Sequence, residues 1–148
     1  MKRVIFSLLL AVFISAAPCG QAADVSERID KTGADYLGIV RAVEMYLESG
    51  RQGDSRYMKE VFLPEANIYG SQNGKMAGGP IQLLYDLVDG KPAAGEISYQ
   101  LAAVEISGNI AMLRLEISNW GGNTYTDMFT LIKNGDTWKI ASKVSHTH

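Results

Sequence analysis

Between Tyr36 and Leu47 the apolar residues Tyr36, Ile39, Val40, Val43, Tyr46 and Leu47 recur at helical spacing, which predicts an amphipathic first helix. Thr32 or Asp35 is placed to cap its start, and Gly50 with Gly53 to end it. Asp54 then caps a short second helix with Tyr57, Met58, Val61 and Phe62 as its apolar positions, stopped at Pro64 because proline disfavours helical geometry in the residue before it. Ala66 to Tyr69 reads as a short strand. The stretch after it holds Gly70, Gly74, Gly78 and Gly79 and is expected to be a flexible loop. Pro80 suits the first turn of a third helix, with Ile81, Leu84, Tyr85 and Val88 on its buried side and Gly90 at its end.

After Pro92 the period changes from helical to alternating, with strand-like runs at Ile97 to Ile106, Asn109 to Trp120, Tyr125 to Lys133 and Thr137 to His146. Ala111, Leu113, Leu115 and Ile117 alternate cleanly with polar or exposed-type neighbours. In the preceding strand Tyr99 and Leu101 lie on one parity and Val104 and Ile106 on the other, which predicts a bulge near Ala102 and Ala103 that bends the sheet. Asn134 and Gly135 suit a two-residue hairpin turn, which pairs Leu131 with Trp138, Phe129 with Ile140 and Tyr125 with Val144 on the core side. Asp127 falls on that same side between Tyr125 and Phe129. An ionised carboxylate there loses its hydration without an obvious partner, so Asp127 is expected either to stay neutral and donate to a ligand or to be satisfied structurally by the Tyr46 hydroxyl or a backbone amide. Helices first and a meander afterwards argue for an α+β fold: a cone of three N-terminal helices packed on a strongly bent antiparallel or mixed β-sheet enclosing a pocket.

Composition changes this picture at the N-terminus. Lys2 and Arg3, the apolar run from Val4 to Ala17, and small residues around Gly20 and Ala22 form the pattern of a signal peptide. The expected organisation is therefore a signal peptide over 1–22, a flexible leader over 23–34 and one domain over 35–148, secreted or periplasmic after cleavage near Ala22. Pro18 before Cys19 departs from a lipidation motif, so no lipid anchor is expected, and cleavage removes the one cysteine. Of 14 Lys and Arg, Lys2 and Arg3 fall in the leader, leaving 12 against 16 Asp and Glu and a net charge of −4. With no basic block, nucleic acid is not an expected partner, and no later segment has the length of a membrane span.

The closing strands, reading TDMFTLIKNGDTWKIASKVSH, resemble the nuclear transport factor 2-like superfamily, and within it the group called Putative lumazine-binding. The features that carry the resemblance are Tyr46 and Leu47 before Gly50 and Gly53, the corner from Val61 to Ala66, the run Tyr125-Thr126-Asp127, and the terminal Trp138-Lys139-Ile140 with Lys143, Val144 and His146. It covers about residues 35–146 and implies the cone fold; the fold itself hosts isomerases, dehydratases, hydrolases, cyclases and binding modules. Ketosteroid isomerase, an enzyme of this superfamily, sets a tyrosine on its first helix and an acid on a late strand around the enolate oxygen, and a separate aspartate after its first strand moves the proton. The resemblance puts Tyr46 and Asp127 at the first two positions. The region matching the base reads Ile68-Tyr69-Gly70 and holds no carboxylate, which implies binding rather than proton transfer.

The candidate ligand-binding residues are thus Tyr46, Tyr69, Trp120, Tyr125 and Asp127, with Asp127 and Tyr46 the candidates for any catalytic role. No cofactor is implied. His146 and His148 alternate on one strand but have no acidic or cysteine cluster beside them, so no metal site is expected. The glycine-rich stretch lacks the lysine and hydroxyl residue of a phosphate-binding loop. The expected function is a small-molecule-binding domain with a mostly apolar pocket for an aromatic or polycyclic ligand, lumazine-like by the resemblance alone. The alternatives are an isomerase or dehydratase of the same fold, and an interaction module. The outer sheet face, with Thr126, Met128, Thr130, Ile132 and Ala141, is expected to form a homodimer.

Overall fold

The helical stripe continues further toward the N-terminus than its apolar pattern: α1 spans Gly20–Gln52. The computed structural model describes residues 20–148, with side chains from residue 30, so the expected signal peptide lies almost wholly outside the described residues. Residues 23–34, expected as a loose leader, are helical, and Thr32 and Asp35 lie inside the helix rather than at its cap. The buried face runs through Ile39, Ala42, Val43, Tyr46 and Leu47, spaced by three and four. Gly53 ends the helix at φ +65°, with Asp54 N–H donating to the Ser49 carbonyl at 3.0 Å and Gly53 N–H to that of Gly50 at 3.3 Å. This is a Schellman cap, and the left-handed residue it needs explains the glycine.

After the short α2, Arg56–Lys59, come β1, Phe62–Gln72; β2, Lys75–Pro80; α3, Gln82–Asp89; β3, Ser98–Ser107; β4, Ile110–Trp120; β5, Asn123–Asn134; and β6, Thr137–Thr147. They form one six-stranded sheet in the order β2-β1-β6-β5-β4-β3, antiparallel except for β1 beside β6. This is the expected α+β cone with a mixed sheet. Pro64 lies within β1, near the irregularity between Phe62 and Asn67, and does not mark a helix end. The glycine-rich stretch expected as a loop is the β1–β2 hairpin, turning at Asn73 (φ +51°) and Gly74 (φ +73°). Asn-Gly makes this turn for the reason it makes tight hairpins elsewhere. Gly78 lets the strands approach, because a Cβ there would stand 2.2 Å from the Ile68 carbonyl oxygen.

The expected bulge in β3 is present, between Leu101 and Ala103. A second one, in β6, changes the site. Thr130 pairs with Ser142 and Leu131 with Ile140, so Ala141 is an extra residue. The expected register is corrected on two counts. Asn134 pairs with Thr137, so the turn residues are Gly135 and Asp136, Lys133 faces Trp138 and Leu131 faces Ile140; beyond the bulge, Phe129 faces Lys143 and Tyr125 faces Thr147. Beyond Ala141 every side chain changes face, so Val144 is 53% exposed and Lys143 is buried.

The core lies between the inner sheet face, including Leu113, Leu115, Ile117, Phe129 and Ile140, and the buried face of α1. α3 adds Leu84, Tyr85 and Val88, and Ile81 just before its first residue is buried with them, as expected. At one end Trp138 seats on Gly38, where a Cβ would lie 2.7 Å from its ring. Its indole N–H donates to Asp35 Oδ1 at 3.2 Å, and Lys133 Nζ donates to the same oxygen at 2.5 Å. These bonds tie α1 to the β5–β6 hairpin. The Lys133 hydrogen bond holds the Asp35 carboxyl below its usual range against the opposing effect of burial, with the Trp138 bond acting in the same sense as Lys133. Among the described residues no helix is long and apolar enough to cross a membrane.

Candidate functional site

At the end of the cone away from Trp138, the sheet, α3 and the last turns of α1 enclose a cavity of about 750 Å³. One wall is the β1–β2 hairpin with Ile68 and Tyr69, another is α3 with Leu84 and Val88, and a third comes from Trp120, Tyr125, Lys143 and Ser145. Trp120 is carried there by a kink at Asn119 (φ +63°) and a register shift after Ile117. It rests on Gly50, where a Cβ would lie 2.4 Å from its ring, so a side chain at 50 would displace the indole.

Tyr46 is the meeting point of core and cavity. Its ring stands 4.9 Å from that of Trp120 and 5.2 Å, edge-on, from that of Phe129. Its hydroxyl donates to Asp127 Oδ2 at 2.7 Å. Burial first, and then the charge of Asp127 and the hydrogen bond to it, push the Tyr46 phenol well above its ordinary value. The bulge at Ala141 brings Lys143 to the other side of the carboxylate, with Nζ 3.4 Å from both Oδ1 and Oδ2. The ammonium also lies 5.7 Å from the centre of the Tyr46 ring. Asp127 is 1% exposed and Lys143 6%, so this is a buried ion pair reinforced by a phenol.

Four of the sequence candidates, Tyr46, Tyr69, Trp120 and Tyr125, line the cavity; Asp127 does not. Of the two readings of Asp127, the structure favours the one in which it is satisfied within the protein: it sits behind the wall, accepts from the Tyr46 hydroxyl as expected in that reading, and pairs with Lys143. Burial, and then the charge of Asp127, also raise the Tyr125 phenol. Lys143 is the residue the sequence analysis missed, because strict alternation from Trp138 points it outward. The signal available was chemical, since an acid on an inner face calls for a cation and Lys143 is the nearest one on the paired strand. Among the described lining residues there is no carboxylate and no histidine. His146 and His148 face outward, with rings 4.8 Å apart, and the described residues include no group of three or more metal-binding side chains.

Residues 34–146 match the family described as Putative lumazine-binding. The aldolase FrzH of Cladobotryum sp is 30% identical over 118 residues, covering 79% of this chain and 94% of the relative. Among solved structures, an NTF2-like protein from Shewanella baltica OS155 superposes with a TM-score of 0.73 at 34% identity, over 77% of this chain and 94% of that one. Another, from Methylobacillus flagellatus KT, gives 0.71 at 31% identity, over 77% and 92%.

Proposed function

Because the chain belongs to the Putative lumazine-binding family, we propose that it is a secreted or periplasmic small-molecule-binding domain whose cavity takes a flat aromatic or polycyclic ring. The observation that carries this reading is the cavity wall: Tyr46, Trp120, Tyr125 and Tyr69 border a space of about 750 Å³, within the range of small-molecule sites. Its floor is fixed by the Tyr46, Asp127 and Lys143 contacts, so little ordering remains to be done on binding. The bicyclic ring named by the family fits such a slot, and so does any flat ring of similar size. Export is supported by Lys2, Arg3 and the apolar run behind them. A homodimer through the outer sheet face is supported by Ile110, Met112, Met128, Ile132 and Val144, all exposed on β4, β5 and β6.

The identity to an aldolase favours a second reading, in which the cavity acts on a carbonyl compound with Lys143 and Tyr46 as its reacting or polarising groups. The binding reading is preferred because the described lining offers no carboxylate or histidine as general base. The test is mass spectrometry of small molecules released from the full-length protein purified without denaturation, beside Ser145→Trp, which fills the cavity from β6. A ring-bearing compound present in the parent and lost from the variant is expected. Equal recovery from both would overturn the assignment of the cavity. Conversion of that compound by the protein would move the conclusion to the enzymatic reading.

A further inference from the structure

The charged residues of the cavity are one-sided. Among the described lining residues, Lys75 on β2, Lys91 after α3 and Lys143 on β6 are charged, and none is acidic. The chain as a whole has the opposite balance, 16 acidic residues against 14 basic. The carboxylate nearest the floor, Asp127, is screened from the cavity by the side chains it binds.

The donors at the floor are unequally committed. The Tyr46 hydroxyl is spent on Asp127 at 2.7 Å. Lys143 stands 3.4 Å from each carboxylate oxygen, longer than the roughly 2.7–2.9 Å of a strong charge-assisted hydrogen bond, and its ammonium has three N–H groups. Asp127 thus balances the charge of Lys143 without saturating its donors, and the side chain lines the cavity. Lys75 and Lys91 are exposed at the rim, and among the described residues neither makes a salt bridge. With the inner pair neutral, the rim leaves the cavity with a positive field that draws in an anion and resists a cation.

We infer that the ligand is an organic anion, a flat aromatic or polycyclic ring bearing a carboxylate or acidic enolate, whose charged oxygen sits on Lys143 while the ring lies against Trp120 and Tyr125. This rests on the ring-binding reading of the cavity and adds the charge of the ligand to it. Lys143 is the anchor and the rim lysines steer.

The experiment titrates the full-length protein, by tryptophan fluorescence and calorimetry, with carboxylate and carboxamide pairs built on one, two and three fused aromatic rings. Each pair matches in shape and differs in charge. In the parent the carboxylate that fits binds at least about tenfold more tightly than its amide, as expected for a hydrogen bond to a charged partner. Lys143→Met brings the two within about threefold. Because that variant leaves Asp127 without its cation, Lys75→Glu/Lys91→Glu is measured beside it. These exposed changes spare the fold, weaken carboxylate binding and leave amide binding unaltered. Equal affinity for both members of every pair would overturn the anion assignment while leaving the ring site standing. Binding of neither member of any pair would overturn both.

Discussion

Replacing Asp127 by leucine should destabilise the protein severely, for reasons that lie in three side chains. The carboxylate is 1% exposed, accepts from Tyr46 at 2.7 Å and faces Lys143 at 3.4 Å. Asp127→Leu leaves a buried ammonium without its counter-ion and a buried phenol without its acceptor. Breaking one partner of a buried ion pair costs about 3–5 kcal/mol, against a total stability of roughly 5–15 kcal/mol for a domain. For a domain of this size that is on the order of 10–20 °C in Tm. Lys143→Met in the same background removes the stranded charge, so Asp127→Leu/Lys143→Met should recover most of the loss, short of about 1 kcal/mol for the unpaired Tyr46 hydroxyl. Urea denaturation of the four proteins closes a double-mutant cycle, and the two sites should couple by at least about 2 kcal/mol. A single Asp127→Leu variant that melts with the parent, or a double variant whose loss equals the sum of the singles, would refute the ion-pair account.

Trp138→Ala should cost about 3–5 kcal/mol, since it empties the seat on Gly38 and frees Asp35 from one donor; a denaturation midpoint near that of the parent would contradict this packing. Tyr46 gives a pH dependence whose sign follows from its raised folded-state pKa: its stabilisation is intact below about pH 10, where an unfolded tyrosine begins to ionise, and is lost as pH climbs toward the higher folded value. Tyr46→Phe should therefore show a shallower alkaline loss of stability than the parent in urea midpoints measured between pH 8 and 11, and an unchanged slope would count against it. The proposed dimer through the outer sheet face should be lost in Met128→Lys, read as a monomer in sedimentation velocity with a Tm that no longer depends on protein concentration; a parent that is monomeric at high concentration removes the dimer.

The fold was legible where side-chain period matched secondary structure. Ile39, Val43, Tyr46 and Leu47 mark the inner face of α1, Ala111 to Ile117 mark β4, and the parity slip at Ala102 and Ala103 marks a real bulge. What escaped was geometry that leaves no periodic trace. One extra residue at Ala141 reverses the faces of Lys143 and Val144, and alternation read straight through β6 cannot detect it because the apolar Val144 fits the unbulged phase that starts from Trp138 and Ile140. The β1–β2 hairpin was hidden by its glycines, which lower strand propensity, although Asn73 and Gly74 carry the same turn chemistry as a tight hairpin. The helix from Gly20 to Asp35 shows no apolar stripe to announce it. Tyr46, Tyr69, Trp120 and Tyr125, which stand out in the chain as aromatics near the sheet's inner face, all border the cavity. For Asp127 the Tyr46 hydroxyl is legible as a partner from the shared inner face, whereas Lys143 is not, because the bulge that turns it inward leaves no trace in the alternation.

The chain has two tryptophans, and they divide the central claim between them. Trp120 lines the cavity, whereas Trp138 is buried at the other end on Gly38 with its N–H on Asp35. Two indole N–H resonances should therefore appear in a nitrogen-resolved proton spectrum, assigned by replacing each tryptophan with phenylalanine. Titration with a flat aromatic ligand should shift or broaden the Trp120 resonance in proportion to occupancy while the Trp138 resonance stays within a linewidth of its starting position. A ligand that binds and moves only the Trp138 resonance, or moves neither, would contradict the cavity as the binding site.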